Sequence, residues 1–432
     1  MPFQGSVPED CRPTSILFGA DGVNNLTTNA DTKFATMSTV TAKSTRHLVE
    51  RIRARVFCSG PRGGNPVTVF SSPSPLQWQT QQKLATACDW ESVMVATNDQ
   101  NSSASTKTEY PEMAFYMPSG EQVSFCGHAA MGGAFAVAGS SSPSECFFQT
   151  AQLQQITDNP QHGASKLYKV SLPSRNSDDE SMSNVATLYM ETEFTESRPS
   201  HGPGLHRLLR EHLGLSSSHL TKKNVQYAPT LVNSSVARPK TLVYVNSLDV
   251  LANVKQPIAR EMNDKDSPTL VPASSLRTSF SKACESIDDS TGIYLYTHRD
   301  TVSTSTSVAL HSTSGSWECR QFPRSSGYPE DPATGIAAAA LAASLYTQGL
   351  VLKEYSMYQG TYMDRPSLIQ VVDLLLQEPY GTDENRISGG RSADKPNKAK
   401  DDDTIPILAS FGLRGRVEID DREWIEVDDG NT

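Results

Sequence analysis

The seven cysteines, at positions 11, 58, 88, 126, 146, 284 and 319, include no C-x-x-C pair. An odd number of widely spaced thiols fits neither a disulfide framework nor a zinc site, so reduced cysteines and no metal are expected. Long apolar runs are missing as well: none approaches the roughly 18 residues that a membrane-spanning helix needs. The opening MPFQGSVPEDCRPTS has neither the basic start nor the apolar stretch of a secretory signal. Basic charge is in short supply, with a net charge of -10 and a pI near 5.4. That argues against a phosphate-tracking surface, because nucleic-acid binding draws most of its affinity from clustered Lys and Arg. The expectation is a soluble, cytoplasmic protein whose partner is a small molecule, with no nucleic acid and no membrane.

The chain has 432 residues, more than one hydrophobic core usually organises, and two lobes are therefore expected. Residues 1–45 are rich in Ser, Thr and Asn and show no helical or strand period, which suggests a flexible arm. The pattern from Arg55-Val56-Phe57 through Gly63-Gly64-Asn65-Pro66 to Val69-Phe70 reads as strand, glycine turn, strand. Ser74-Pro75 resembles a helix start, with the helix running to about Ala87. Ser92–Ala96 and Met113–Met117 read as strands, so Glu91 sits where helix gives way to strand. The stretch 98–109 reads as polar loop, 155–165 and 175–184 as surface insertions, and the charged tract 383–403 as disordered.

Two segments are apolar on every side and built of small residues: Gly127 to Ala138, and Gly335 to Leu345. A helix with no polar face, too short to cross a membrane, must be enclosed by protein. One such helix per half predicts two lobes built alike, each wrapping a sheet around a central helix. A helix start offers unpaired N–H groups and partial positive charge, suited to an anion or a developing oxyanion. His128 falls in the first turn of the first helix, where the dipole disfavours protonation, so a neutral imidazole is expected. A histidine at that place can also be purely structural. Asp331 before Pro332 is a common way to open a helix, which makes Asp331 the expected N-cap, with Thr334 and Gly335 turning N–H groups toward a cleft.

Several blocks, in order, resemble the PhzF family of phenazine-biosynthesis proteins: Val56-Phe57 with Gly64-Asn65-Pro66; Asp89-Trp90-Glu91-Ser92; Glu121 with Phe125-Cys126-Gly127-His128; Arg320 with Phe322-Pro323 and Gly327; Glu330-Asp331-Pro332-Ala333-Thr334-Gly335; Gln359-Gly360 with Arg365-Pro366-Ser367. They span roughly residues 50 to 425. The resemblance implies an α+β fold similar to diaminopimelate epimerase, with two pseudo-symmetric lobes and a cofactor-free site between them. Its implied lobes are 46–200 and 201–411, with 412–428 as a strand returning to the first. It implies an isomerase in which one glutamate, here Glu91, removes a proton from carbon and returns it elsewhere, with His128 and Asp331 as partners. Asn65, Cys126, Gly127, Thr334, Gly335 and Ile336 would surround the substrate, and a homodimer is implied. Ile336 stands where the family commonly has serine, and Ser92 where threonine is usual. Two other readings stay open: an epimerase or racemase using two thiols, for which Cys126 could be one, and a catalytically idle ligand-binding homologue.

Overall fold

A computed structural model describes residues 46–97, 110–138, 145–151, 166–173, 184–197, 202–220, 231–257, 279–285, 287, 290–299, 314–324, 328–377 and 407–428. The readings for 1–45, 98–109, 155–165, 175–184 and 383–403 fall outside these residues, Asn184 excepted. The elements begin β1 (Arg46–Val56), β2 (Asn65–Ser72), α1 (Trp78–Thr86), β3 (Ser92–Ala96), β4 (Glu112–Tyr116), β5 (Gln122–Val123), α2 (Gly127–Val137), β6 (Glu145–Thr150), β7 (Leu167–Ser171) and β8 (Val185–Ser197). They continue with α3 (Gly202–Leu213), β9 (Leu231–Ser235), β10 (Pro239–Tyr244), α4 (Leu248–Ala252), α5 (Ser279–Glu285), β11 (Gly292–His298) and β12 (Ser314–Pro323). The last are α6 (Gly335–Thr347), β13 (Glu354–Gln359), β14 (Ser367–Gln377) and β15 (Ile407–Asp428).

The strands form one continuous sheet in the order β3-β2-β1-β15-β14-β13-β12-β11-β10-β9-β8-β7-β6-β4-β5, and two further pairings, β3 with β4 and β8 with β15, close it. The result is two rings with a common wall. The first consists of β1, β2, β3, β4, β6, β7, β8 and β15; the second runs from β8 through β9 to β14 and back to β15. Closure leaves few free edges, the usual hazard of an antiparallel sheet.

Each ring encloses one of the two apolar helices. α2 packs on β1, β2, β3, β4, β8 and β15, while α6 packs on β8, β9, β10, β14 and β15, and the helices touch each other. Small residues are what make this possible. A Cβ at Gly132 would stand 2.7 Å from the Val67 side chain, so β2 reaches the helix where only glycine fits. Ala337 to Ala343 are fully buried for the same reason. The outer face of the first ring is covered by Ala85 of α1 and by Leu76 just before that helix. That of the second is covered by Leu205, Leu209, Leu251 and Phe280 of α3, α4 and α5, packed on Ile293, Leu295 and Phe322.

Two boundaries differ from the expectation. α1 opens at Trp78 with Gln77 before it, because the Ser72 hydroxyl donates to the Ser74 carbonyl at 2.6 Å and the Gln81 amide to the Leu76 carbonyl at 2.6 Å. These side chains hold residues 73–77 as a turn. α6 opens at Gly335 with Thr334 as its N-cap residue, so Asp331 lies three residues upstream of the place expected for it. No helix among the described residues is long and apolar enough to cross a membrane.

Candidate active site

The two enclosed helices start at the same place. A Cβ on Gly127, the first residue of α2, would lie 3.6 Å from Leu413 Cδ1, and one on Gly335, the first of α6, would lie 3.0 Å from the same atom. Leu413 belongs to the shared strand β15, so both helix N-termini converge on one residue of the common wall. Cys126-Gly127-His128 and Thr334-Gly335-Ile336 are therefore equivalent corners, whose first-turn N–H groups have no carbonyl a turn behind them. Ile336 is half-buried and packs against the core.

Glu91 reaches this point from the first ring. Its carbonyl accepts from the Thr68 N–H at 3.2 Å, pinning it to β2 just before β3 begins. The residue is only 5% exposed. Its Oε1 accepts from the Tyr328 hydroxyl at 2.5 Å, and its buried Oε2 has no hydrogen-bond partner among the described residues. Burial is the main force raising the Glu91 pKa above the carboxylate range; His128 and the Tyr328 hydrogen bond oppose it, and Asp331 adds to it.

His128, 7% exposed, turns Nε2 toward Glu91 Oε2 at 3.8 Å. That is too long for a hydrogen bond, and it leaves both groups able to address a third atom. The other ring nitrogen, Nδ1, lies 3.4 Å from Cys126 Sγ and 3.4 Å from Asn65 Nδ2. Both hydrogens of the Asn65 amide nitrogen go to Asp331 Oδ1 and the Ala333 carbonyl, so its approach to Nδ1 is a packing contact and not a donation. Burial pulls the His128 pKa down most strongly among single influences, but Cys126, Glu91 and Asp331 together outweigh it and push it up to about 9. This direction runs against the neutral imidazole expected from the helix dipole. Two carboxylates and a sulfur close by outweigh the partial charge of a helix end.

Asp331 holds the corner together. Its Oδ1 accepts from Asn65 Nδ2 at 2.9 Å and from the Ala333 N–H at 3.0 Å, and its Oδ2 from the Thr334 hydroxyl at 2.6 Å. Its own N–H donates to the Gln321 carbonyl and its carbonyl accepts from the Gln359 amide at 2.7 Å. Asn65 also donates to the Ala333 carbonyl at 2.8 Å, which fixes the orientation of its amide. The Thr334 N–H, expected to face a cleft, is directed at Gln359 Oε1, 3.3 Å away. Next door, Glu330 forms a buried two-point ion pair with Arg320, at 2.8 and 2.7 Å, and Arg320 also donates to the Leu251 and Val254 carbonyls. Glu330 is thereby a structural residue.

The structure therefore brings Glu91, His128, Asp331, Asn65, Cys126 and the two helix starts into one buried cluster. Sequence reasoning passed over Tyr328. It packs against Trp90 with the rings tilted by 43° and their centroids 5.3 Å apart, and Trp90 in turn lies under the Arg365 guanidinium at 4.6 Å. The only hint was position, two residues before Glu330. Among the described residues no three His, Cys, Asp or Glu side chains gather as a metal-binding group. A surface depression of about 500 Å³ lined by Arg55, Arg62 and Asp364 meets this site only through Arg365 on its edge.

Residues 245–389 match the family model PhzC-PhzF, described as phenazine biosynthesis-like protein. Among solved structures, a PhzF-family phenazine biosynthesis protein of Bacillus anthracis superposes with a TM-score of 0.55 at 15% identity, over 88% of this chain and 99% of that one. A PhzF-family protein of Enterococcus faecalis gives 0.50 at 13% identity, over 88% and 99%. A predicted epimerase of Pseudomonas aeruginosa gives 0.53 at 18% identity, over 87% and 99%. At such identities the likeness is one of fold, the α+β arrangement of the diaminopimelate epimerase type. No curated protein sequence matches this one.

Proposed function

We propose that this chain, which belongs to the PhzF family of phenazine biosynthesis-like proteins, is an isomerase that shifts a proton between carbons of a small metabolite without a cofactor. One observation carries the reading: the Glu91 carboxyl is buried, one oxygen is anchored by Tyr328, and the other is unpartnered, faces His128 and belongs to a group whose pKa is raised. A carbon base needs a pKa closer to the working pH than a surface carboxylate has, and burial supplies it.

In this reading Glu91 Oε2 accepts the proton of a C–H bond next to a π-system, and the electron pair moves into that system. Charge developing on a substrate oxygen is met by the first-turn N–H groups of α2 and by the His128 Nε2–H. Glu91 then returns the same proton to a different carbon. Asp331, saturated by Asn65, Ala333 and Thr334, orients the corner and does not move a proton. The shift is redox-neutral.

The two-thiol alternative finds less support. The corner equivalent to Cys126 carries Thr334, and Cys319 is fully buried, its thiol pushed far up by that burial. The test is incubation in deuterated water with cyclic and amino-acid-derived candidates, reading carbon-bound deuterium by mass spectrometry. Wild-type protein should incorporate it, and Glu91→Gln should lower the rate by about 10²–10⁴-fold. Near wild-type exchange in Glu91→Gln, with loss in Cys126→Ala, would transfer the role to the thiol.

A further inference from the structure

Arg365 carries a full set of donors and uses none of them. Its guanidinium makes no hydrogen bond or ion pair among the described residues, although two carboxylates line the same surface depression. Asp420 is taken by Arg55, and Asp364 by Arg62. Arg365 has the indole of Trp90 instead, 4.6 Å from the guanidinium carbon. An indole is the ring face a cation prefers, and the flat, weakly hydrated guanidinium is the cation best suited to lie on it.

The backbone holds Arg365 in that place at several points. Its N–H donates to the Gly360 carbonyl at 3.1 Å, and its own carbonyl accepts from the Ser367 hydroxyl at 3.0 Å. A Cβ at Gly360 would stand 2.2 Å from the Arg365 carbonyl oxygen and 2.8 Å from that of Pro332, so only glycine lets the turn 360–365 close against the Asp331 corner. Asp364 within it has a φ of 56°, a left-handed backbone uncommon outside glycine. Gln359, at the root of the turn, donates to the Asp331 carbonyl. A turn so constrained and so tied to the site aims its last residue from the second ring at Trp90 of the first.

Trp90 immediately precedes Glu91, and Tyr328 touches both: its ring packs on the Trp90 indole and its hydroxyl donates to Glu91 Oε1. Hydrogen bonds weaken steeply as their angle departs from linear, so the set of the Tyr328 ring decides how well its hydroxyl supports the carboxylate. We infer that Arg365 is a positioning residue for the proton shift: by clamping Trp90 from the second ring it fixes the Tyr328 ring, and through it the hydrogen bond to Glu91 Oε1. Only the effect on rate rests on the reading of Glu91 as base; the clamp concerns a hydrogen bond that stands whatever the reaction. The groups that face Glu91 are His128 of α2, Asp331 and Tyr328. Arg365 makes no ion pair with Glu91 and acts through the two rings. Since the Tyr328 hydrogen bond lowers the Glu91 pKa against the rise caused by burial, loosening the clamp should let it rise further.

Infrared titration of the Glu91 carboxyl in the full chain, its band assigned by difference from Glu91→Gln, tests this without a substrate. Arg365→Ala should raise the midpoint by about half a pH unit or more, a roughly threefold change in the protonation equilibrium. Arg365→Lys, which keeps a cation for the indole, should restore most of the wild-type value. The deciding comparison is made in Tyr328→Phe, where Arg365→Ala should shift nothing further because the group it acts through is gone. An unchanged midpoint in Arg365→Ala, or a shift of equal size with and without the Tyr328 hydroxyl, overturns the clamp. Should Arg365→Ala not fold, Arg365→Gln, which keeps the stem of the side chain, takes its place. The pH profile of deuterium exchange is read separately: a carboxyl midpoint that moves while the acidic limb of exchange stays would keep the clamp and remove Glu91 as the base.

Discussion

Tyr328 donates its hydroxyl to Glu91 Oε1 across a separation of 237 residues, from the second ring to the first. One oxygen of the carboxylate is thereby held while the other is left to react. The hydrogen bond favours the ionised form and restrains a pKa that burial drives upward.

Removing it should show in the pH profile. Tyr328→Phe takes away the donor, so the Glu91 pKa should rise further and the acidic limb of the exchange rate should move to higher pH. A rate loss of about tenfold or more is expected at the low-pH end, with recovery as pH rises. An acidic limb that stays in place in the pH–rate profile would show that Glu91 does not govern it.

Stability should fall on the alkaline side. The folded pKa of His128 is raised from 6.5 to about 9. A group held protonated by the fold contributes stability that is complete below its unfolded pKa and lost as pH rises through the folded one. Glu91, also raised, acts in the same direction from 4.5 upward. Urea unfolding should therefore show a decline between pH 6.5 and 9, on the order of 2–3 kcal/mol for the histidine. His128→Asn should flatten it.

The glycines of α2 separate into two kinds. Gly132→Ala adds a methyl 2.7 Å from the stiff Val67 side chain. Overpacking costs about 1–3 kcal/mol and exceeds the gain of up to about 1 kcal/mol in helix propensity. A net loss of about 1–2 kcal/mol is expected from denaturant midpoints. Gly127→Ala meets nothing closer than 3.6 Å and should leave stability near wild type.

Glu330 separates structure from chemistry within one motif. Glu330→Gln leaves Arg320 buried beside Leu251 and Val254 without its charge partner, a loss of about 3–5 kcal/mol. The melting temperature should drop clearly. The double variant Arg320→Met with Glu330→Leu should recover part of it, since no charge is then left uncompensated.

The two enclosed helices were readable because composition alone forces burial: nothing in Ala337 to Ala343 can face water. The strands near Val56 and Val93 were readable from their alternation and β-branching. What escaped was whatever depends on distant partners. Glu91 stands out in the sequence only through its resemblance to a family, since its burial is made by Tyr328 and His128 arriving from elsewhere. Asp331 was misplaced by local logic: Asp-Pro resembles a helix start, yet the acid spends its acceptors on Asn65 and Thr334, and the helix waits until Gly335. Lys240 of β10 has the sequence of an ordinary strand residue, and its register opposite Ser234, whose hydroxyl donates to the Ala340 carbonyl of α6, turns it inward.

The common wall has a consequence for the order in which this protein can be made. Arg51 bonds Glu423, 372 residues later, and β8 also pairs with β15. Neither ring can close before β15 leaves the ribosome. At synthesis rates of about 5–20 residues per second, β1 and β8 wait on the order of tens of seconds with exposed edges, a natural point of capture for chaperones.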